Sequence, residues 1–257
     1  MVKFICLVVL FHLCDTLKLD VEQRVRNGEE AAIEDFPHAV ALELLRGWTW
    51  WGMTFGYWLY YCGGSIINPQ FVLTAKHCME DNDFRIVYGT AYVSIFWESD
   101  ENLAYVESVD KHSDFDLAVL KLDRKLVYTS KVNELEFSYT QATDYPAQFA
   151  GWGWQSRSFP AYRSLNLMST NLTLTYMING RLLHKPLTLQ SGPCPGDSGS
   201  GVVVHWPRYG KVLHAVVIEA DSECYEGVSI GTYFAKDWIQ DRDGWNKTNV
   251  GKIISFP

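Results

Sequence analysis

Three short strings in this chain hold side chains that could act together in covalent chemistry: Thr74-Ala75-Lys76-His77-Cys78, Asp116-Leu117-Ala118-Val119-Leu120-Lys121-Leu122, and Gly196-Asp197-Ser198-Gly199-Ser200-Gly201. A serine hydroxyl is a poor nucleophile at neutral pH unless a base removes its proton, and an imidazole serves best as that base when a carboxylate holds it in one tautomer. His77, Asp116 and Ser198 supply one of each. The glycines around Ser198 permit a tight turn that can aim the backbone N–H groups of Gly196 and Ser198 at a developing oxyanion. Two members have a rival of the same type close by, Asp114 for Asp116 and Ser200 for Ser198. The histidines at 38, 112, 184, 205 and 214 carry no such motif and are read as core or surface residues.

Residues this far apart in sequence must be brought together by the fold. From Phe36 onward most apolar segments are short, rich in Val, Ile, Tyr, Phe and Trp, and punctuated by Gly, Pro, Asn or Asp. This pattern predicts strands over Ala39–Leu45, Gly64–Leu73, Phe84–Val87, Leu117–Leu122, Phe149–Trp154, Ser169–Met177, Gly201–Val204 and Val212–Ile218. One helix is predicted over Tyr233–Asp241, where Phe234, Trp238 and Ile239 fall at helical spacing. The more polar stretch Asp123–Tyr145 reads as a connection between two halves. The expected architecture is all-β, a sandwich or a pair of barrels, with no tandem repeat.

The 257 residues are 47% hydrophobic and 20% charged, which excludes a disordered or fibrous chain. With 22 basic against 30 acidic residues the formal charge is −8, so nucleic acid is not an expected partner. The chain opens Met1-Val2-Lys3 and continues with an apolar run from Phe4 to Leu13, interrupted by His12 and closed by Cys14 and Asp15. A cationic start and short apolar core are the marks of a secretory signal peptide, and the run is about half the ~20 residues a membrane span needs. A signal peptide over residues 1–16, cut between Cys14 and Leu17, makes the protein secreted and extracellular, with no membrane partner. Six cysteines stand at 6, 14, 62, 78, 194 and 224, and removal of the leader leaves four for two bridges in any of three pairings. No Cys-x-x-Cys or His-x-x-x-His pair suggests a metal, no calcium loop is visible, and no cofactor is expected. Asn171-Leu172-Thr173 and Asn246-Lys247-Thr248 are glycosylation triplets. Asn246 is the better candidate because it lies in a polar tail.

From Val25 to Ile239 the chain resembles the chymotrypsin/trypsin family of secreted serine proteases. The motifs fall in that family's order, His then Asp then Ser. Supporting strings are Phe36-Pro37-His38-Ala39-Val40-Ala41-Leu42, Cys62-Gly63-Gly64-Ser65-Ile66-Ile67 and Ala150-Gly151-Trp152-Gly153. The resemblance implies two antiparallel six-stranded β-barrels with a C-terminal helix and the triad in the cleft between them. The N-terminal barrel would cover about 25–122, the second barrel and helix about 136–241, and a tail 242–257. It selects Asp116 over Asp114, because Asp116 directly precedes an apolar strand, and Ser198 over Ser200, because only Ser198 follows Gly-Asp. It pairs Cys62 with Cys78 and Cys194 with Cys224. It implies a short propeptide over 17–24 and cleavage after Arg24, with a new α-ammonium on Val25 pairing with buried Asp197. Arg26 stands where the family has a small apolar residue. Gly192 and Pro193 fall at the floor of the specificity pocket, with Ala220 and Gly227 as walls, so no floor carboxylate awaits a basic side chain. An apolar residue before the scissile bond is expected, with depth for an aromatic at Gly227, unless Glu226 turns inward.

Departures from the pattern qualify these expectations. Gly-Asp-Ser-Gly-Gly-Pro is here Gly-Asp-Ser-Gly-Ser200-Gly201, and Ile218-Glu219-Ala220 replaces Ser-Trp-Gly. Ile218 cannot give the triad Asp the family's hydrogen bond, and Glu219 puts a charge where an apolar shelf is usual. The run from Arg46 to Tyr61 is longer and more aromatic than the family's loop, and reads either as an extra wall for a protein substrate or as a hairpin whose aromatics pack on one another. The leading reading is a secreted serine endopeptidase, monomeric, acting on proteins or peptides, with an activating protease and protein inhibitors as further partners. Its rival is a protease-like binding protein with little turnover. A lipase is disfavoured by the missing Gly-x-Ser-x-Gly elbow.

Overall fold

The computed structural model describes residues 28–51, 53–79, 83–93, 100–137, 146–156, 162–176, 179–187, 191–206, 210–220 and 224–242. The first barrel is a closed sheet of β2 (Ala39–Trp50), β3 (Met53–Asn68), β4 (Phe71–Thr74), β7 (Ala118–Leu122), β6 (Leu103–Lys111) and β5 (Phe84–Tyr88), in that spatial order. The second is β8 (Pro146–Gly151), β11 (Met168–Tyr176), β12 (Arg181–Pro186), β15 (Gly227–Gly231), β14 (Gly210–Ala220) and β13 (Gly201–Trp206), closed by pairing of β8 with both β11 and β13. All the ladders are antiparallel. A short strand β1 (Glu29–Glu30) precedes the first barrel but pairs with β11 of the second, and β9 (Trp154–Ser156) and β10 (Tyr162–Arg163) form a separate hairpin.

Closure leaves the strands apolar on both faces where the barrels meet. On β7, Ala118, Leu120 and Leu122 point into the first barrel, while Val119 joins Leu73, Leu213, Val216 and Ile230 in a cluster between the barrels. This follows from the period-2 alternation of strand side chains. The connection after β7 is strapped to both halves: Asn133 N–H donates to Pro37, Leu135 N–H to Ile66, and Leu213 N–H to Glu136. The expected helix is a 3-10 turn over Thr232–Ala235 that runs into α1 (Lys236–Arg242), with Ala235 and Ile239 buried in the same inter-barrel cluster. The all-β, two-barrel architecture with its C-terminal helix is therefore the one expected. The strand pattern missed β6, β12 and β15. β6 is mostly exposed along its length, and β12 reads Arg-Leu-Leu-His-Lys-Pro, so neither carries an apolar run.

The aromatic stretch before Cys62 prolongs β2 and β3 into a long hairpin, in register from Glu43 opposite Tyr60 out to Trp50 opposite Met53. Trp58 packs edge-on against Tyr105, with the Arg85 guanidinium 4.6 Å from the centre of its ring, whereas Trp51 and Tyr57 are exposed. The run is thus a hairpin, one of the two forms weighed for it, but its Trp58 packs outside it, on neighbouring strands β5 and β6.

Candidate active site

β4 and β7 are neighbours, with Thr74 opposite Ala118. That register brings the turn after β4 against the residues before β7, and a separation of 39 positions becomes direct contact. His77 lies on a 3-10 turn, Lys76–Cys78. Its backbone N–H donates to Asp116 Oδ1 at 2.8 Å, and its Nδ1 lies 2.7 Å from Asp116 Oδ2. One carboxylate thus fixes both the loop and the ring. Partial burial pulls the Asp116 carboxyl up, but the side-chain and backbone hydrogen bonds from His77 outweigh it and leave its pKa below the ordinary value. The rival Asp114 instead accepts a hydrogen bond from Ser113, and its backbone N–H donates to His112 Nδ1.

Ser198 comes from the second barrel, in the turn before β13. Its carbonyl accepts a 2.8 Å hydrogen bond from Gly63 N–H and lies 3.8 Å from Cys78 Sγ, so the serine is held against the Cys62–Cys78 disulfide one residue from His77. The approach is close enough to need glycine. A Cβ on Gly199, which has φ +85°, would lie 2.2 Å from Thr74 Oγ1 and 2.3 Å from the Gly63 carbonyl. Ser200, the other rival, is buried, and a Cβ on Gly63 would meet its Oγ at 1.9 Å. Gly196 has φ +93°, and among the described residues no backbone carbonyl takes the N–H of Gly196 or of Ser198. Those two donors remain available in the turn.

Asp197 is fully buried and accepts hydrogen bonds from Gly153 N–H on Oδ1 and Cys194 N–H on Oδ2, each at 2.8 Å. Burial pushes its carboxyl up to about 7, and the two N–H donors only partly oppose this. Arg24 and Val25, expected at the activation cut, lie outside the described residues, as does Asn246. Asn171 is exposed on β11, with its Oδ1 accepting from Gln148 Nε2 at 3.3 Å.

Cys194 and Cys224 form the second disulfide, so both pairings implied by the resemblance are present. Gly192 and Pro193 are buried, and a Cβ on Gly192 would meet the carbonyls of Cys224 and Tyr225 at 2.9 Å. Gly227 stands between Ala220 on β14 and His184 on β12. The imidazole of His184 lies against Gly227: a Cβ on Gly227 would lie 2.2 Å from Nε2. His184 is 0% exposed, and its Nδ1 lies 3.1 Å from Ser229 Oγ. Glu226 does not turn inward; it pairs with Lys185 at 3.2 Å, and Glu219 pairs with Arg181 at 3.1 Å, both on the surface. Ile218 packs against the first barrel's core and the inter-barrel cluster, and among the described residues Asp116 accepts only from His77. The ligand atoms of Cys62, His77 and Cys78 gather within 4.8 Å, but both sulfurs are spent in the disulfide and no thiolate is left for a metal.

Two residues of this region had no sequence signal. His184 looked like any core histidine, and Tyr60 was one of many aromatics before Cys62; only cross-strand register reveals what each faces. Comparison with known proteins agrees with the geometry. The family model described as Trypsin matches residues 25–239. The chain is 29% identical to Hypodermin-B of Hypoderma lineatum over 86% of its own length and 88% of that protein's. It is 25% identical to Trypsin alpha of Drosophila melanogaster, over 85% of this chain and 87% of the relative. It is 28% identical to Ovochymase of Halocynthia roretzi over 84% of this chain, which spans only 15% of that longer protein. The fold, the order of the motifs and the matched span together make this chain a member of the trypsin family of serine proteases.

Proposed function

We propose that the chain is a secreted endopeptidase in which Ser198 is acylated, His77 moves the proton and Asp116 orients His77. The observation that carries this reading is the two-point grip of one Asp116 carboxylate on His77, with Ser198 held beside it by Gly63. Ser198 Oγ attacks the peptide carbonyl carbon as its proton passes to His77 Nε2, and the oxyanion is stabilised by the N–H groups of Gly196 and Ser198. His77 returns that proton to the amine nitrogen as the C–N bond breaks. Water then adds to the acyl ester, giving its proton to His77, which returns it to Ser198 Oγ as the ester C–O bond breaks. Ser198→Ala and His77→Ala should each lower kcat by ~10⁴ or more while peptide still binds. Parental turnover in Ser198→Ala rejects the assignment.

Activity is proposed to begin with cleavage after Arg24, which gives Val25 an α-ammonium for Asp197. A fully buried carboxylate that among the described residues accepts only from backbone donors supports this, since the cation would offset its desolvation. N-terminal sequencing of active material should read Val25; a start at Asn27 contradicts the scheme. For specificity we propose a small apolar residue before the scissile bond. The outward ion pair of Glu226 argues against basic substrates, and the His184 ring beside Gly227 argues against aromatic ones. Asn246 and Asn171 are proposed glycosylation sites, testable by the mass lost on enzymatic deglycosylation. A second reading, a binding protein with little turnover, draws on Ile218, which cannot supply the hydrogen bond that a serine there gives the triad Asp in the family; among the described residues Asp116 accepts only from His77.

A further inference from the structure

Between the two N–H groups assigned to the oxyanion lies one peptide plane, that of Gly196 and Asp197. Its N–H end donates to the Cys194 carbonyl at 2.9 Å. Its carbonyl end, Gly196 O, accepts a 2.7 Å hydrogen bond from Tyr60 Oη, a residue 136 positions away on the other barrel. The phenol is aimed there by a defect in the ladder. Leu42 pairs with Cys62 and Glu43 with Tyr60, so the pairing skips Tyr61. Without that bulge Tyr60 and Cys62 would share a face. With it, Cys62 packs in the first barrel's interior and Tyr60 in a separate cluster with Ala41, Val87, Ala150 and Trp152, edge-on to Trp152 at 6.4 Å and only 5% exposed. Gly196 is free to rotate, having φ +93° and no Cβ, and rotation of this plane would swing either flanking N–H off its target.

We propose that Tyr60 is a positioning residue for the oxyanion site: its hydroxyl pins the plane between the two donors, and the aromatic hairpin is thereby part of the catalytic scaffold. The consequence for turnover rests on the peptidase reading above, whereas the pinning does not. The test is Tyr60→Phe in the processed protein, which keeps the ring on Trp152 and removes only the hydroxyl. We expect kcat on a peptide anilide to fall about 10-fold with KM unchanged, a fraction of what loss of a whole oxyanion donor costs. Affinity for a peptide trifluoromethyl ketone, which forms a tetrahedral adduct on serine, should fall by the same factor, and that for a non-covalent product peptide should not. Equal kcat and ketone affinity in the two proteins, or a loss confined to KM, overturns the inference. If the parent itself hydrolyses nothing, the peptidase reading fails and amide hydrogen exchange at Asp197 decides the matter. Exchange at least 10-fold faster in Tyr60→Phe supports pinning, and equal protection refutes it.

Discussion

Asp197 and His38 are both fully buried and titrate in opposite senses. Burial lowers the His38 imidazole to about 3, with Lys211 adding to the effect, so below about 6.5 the unfolded state takes up the proton and acid destabilises the fold. Asp197 is raised to about 7 against an unfolded value near 3.9, so the folded state holds the extra proton. Its contribution to stability is present below pH ~4 and is lost as pH rises through 7. Comparison with Asp197→Asn isolates the second group from the first. In unprocessed protein the Tm of the parent relative to Asp197→Asn should fall by at least ~4 °C between pH 5 and 8, measured by calorimetry. Processing after Arg24 should reverse the sign, because the Val25 ammonium stabilises the charged carboxylate. A relative Tm that rises with pH in the unprocessed chain argues that another cation already faces Asp197.

At the scale of elements, the proposed specificity rests on three neighbouring strands, β12, β15 and β14, which bring His184, Gly227 and Ala220 side by side. His184→Ala should open the space beyond Gly227 and raise kcat/KM for substrates with Phe or Tyr before the scissile bond by at least ~10-fold, a methylene-by-methylene gain of ~1–3 kcal/mol in an apolar pocket. Profiling against a peptide library measures this, and an unchanged preference for small residues means that another group limits the depth. These strands also mark where the sequence became unreadable. Ala39–Leu45, Leu117–Leu122 and Val212–Ile218 announce themselves as β-branched or apolar runs, and His77, Asp116 and Ser198 sit in recognisable strings beside them. β12 and β15 have too few apolar residues to be seen, and with them went the pairing that sets His184 against Gly227. Tyr60 was hidden for a related reason: a one-residue bulge reverses the face of a strand without leaving any mark in composition.

For the molecule as a whole, the two barrels divide the proposed chemistry between them. His77 and Asp116 are held by β4 and β7 of the first barrel, and Ser198, Asp197 and Gly196 by the turn before β13 of the second. What aligns the two sets is the inter-barrel packing of Leu73, Val119, Leu213 and Val216, the Gly63 to Ser198 bond and the Tyr60 to Gly196 bond. Such a division makes the active constellation a property of the whole fold. The most direct test of the central claim is to treat the processed protein with a peptidyl diphenyl phosphonate and map the adduct by mass spectrometry. The account predicts a covalent phosphonyl ester on Ser198, formed at least ~10³-fold more slowly in His77→Ala, where the base is gone. An unmodified Ser198, or one that reacts equally fast without His77, would contradict it.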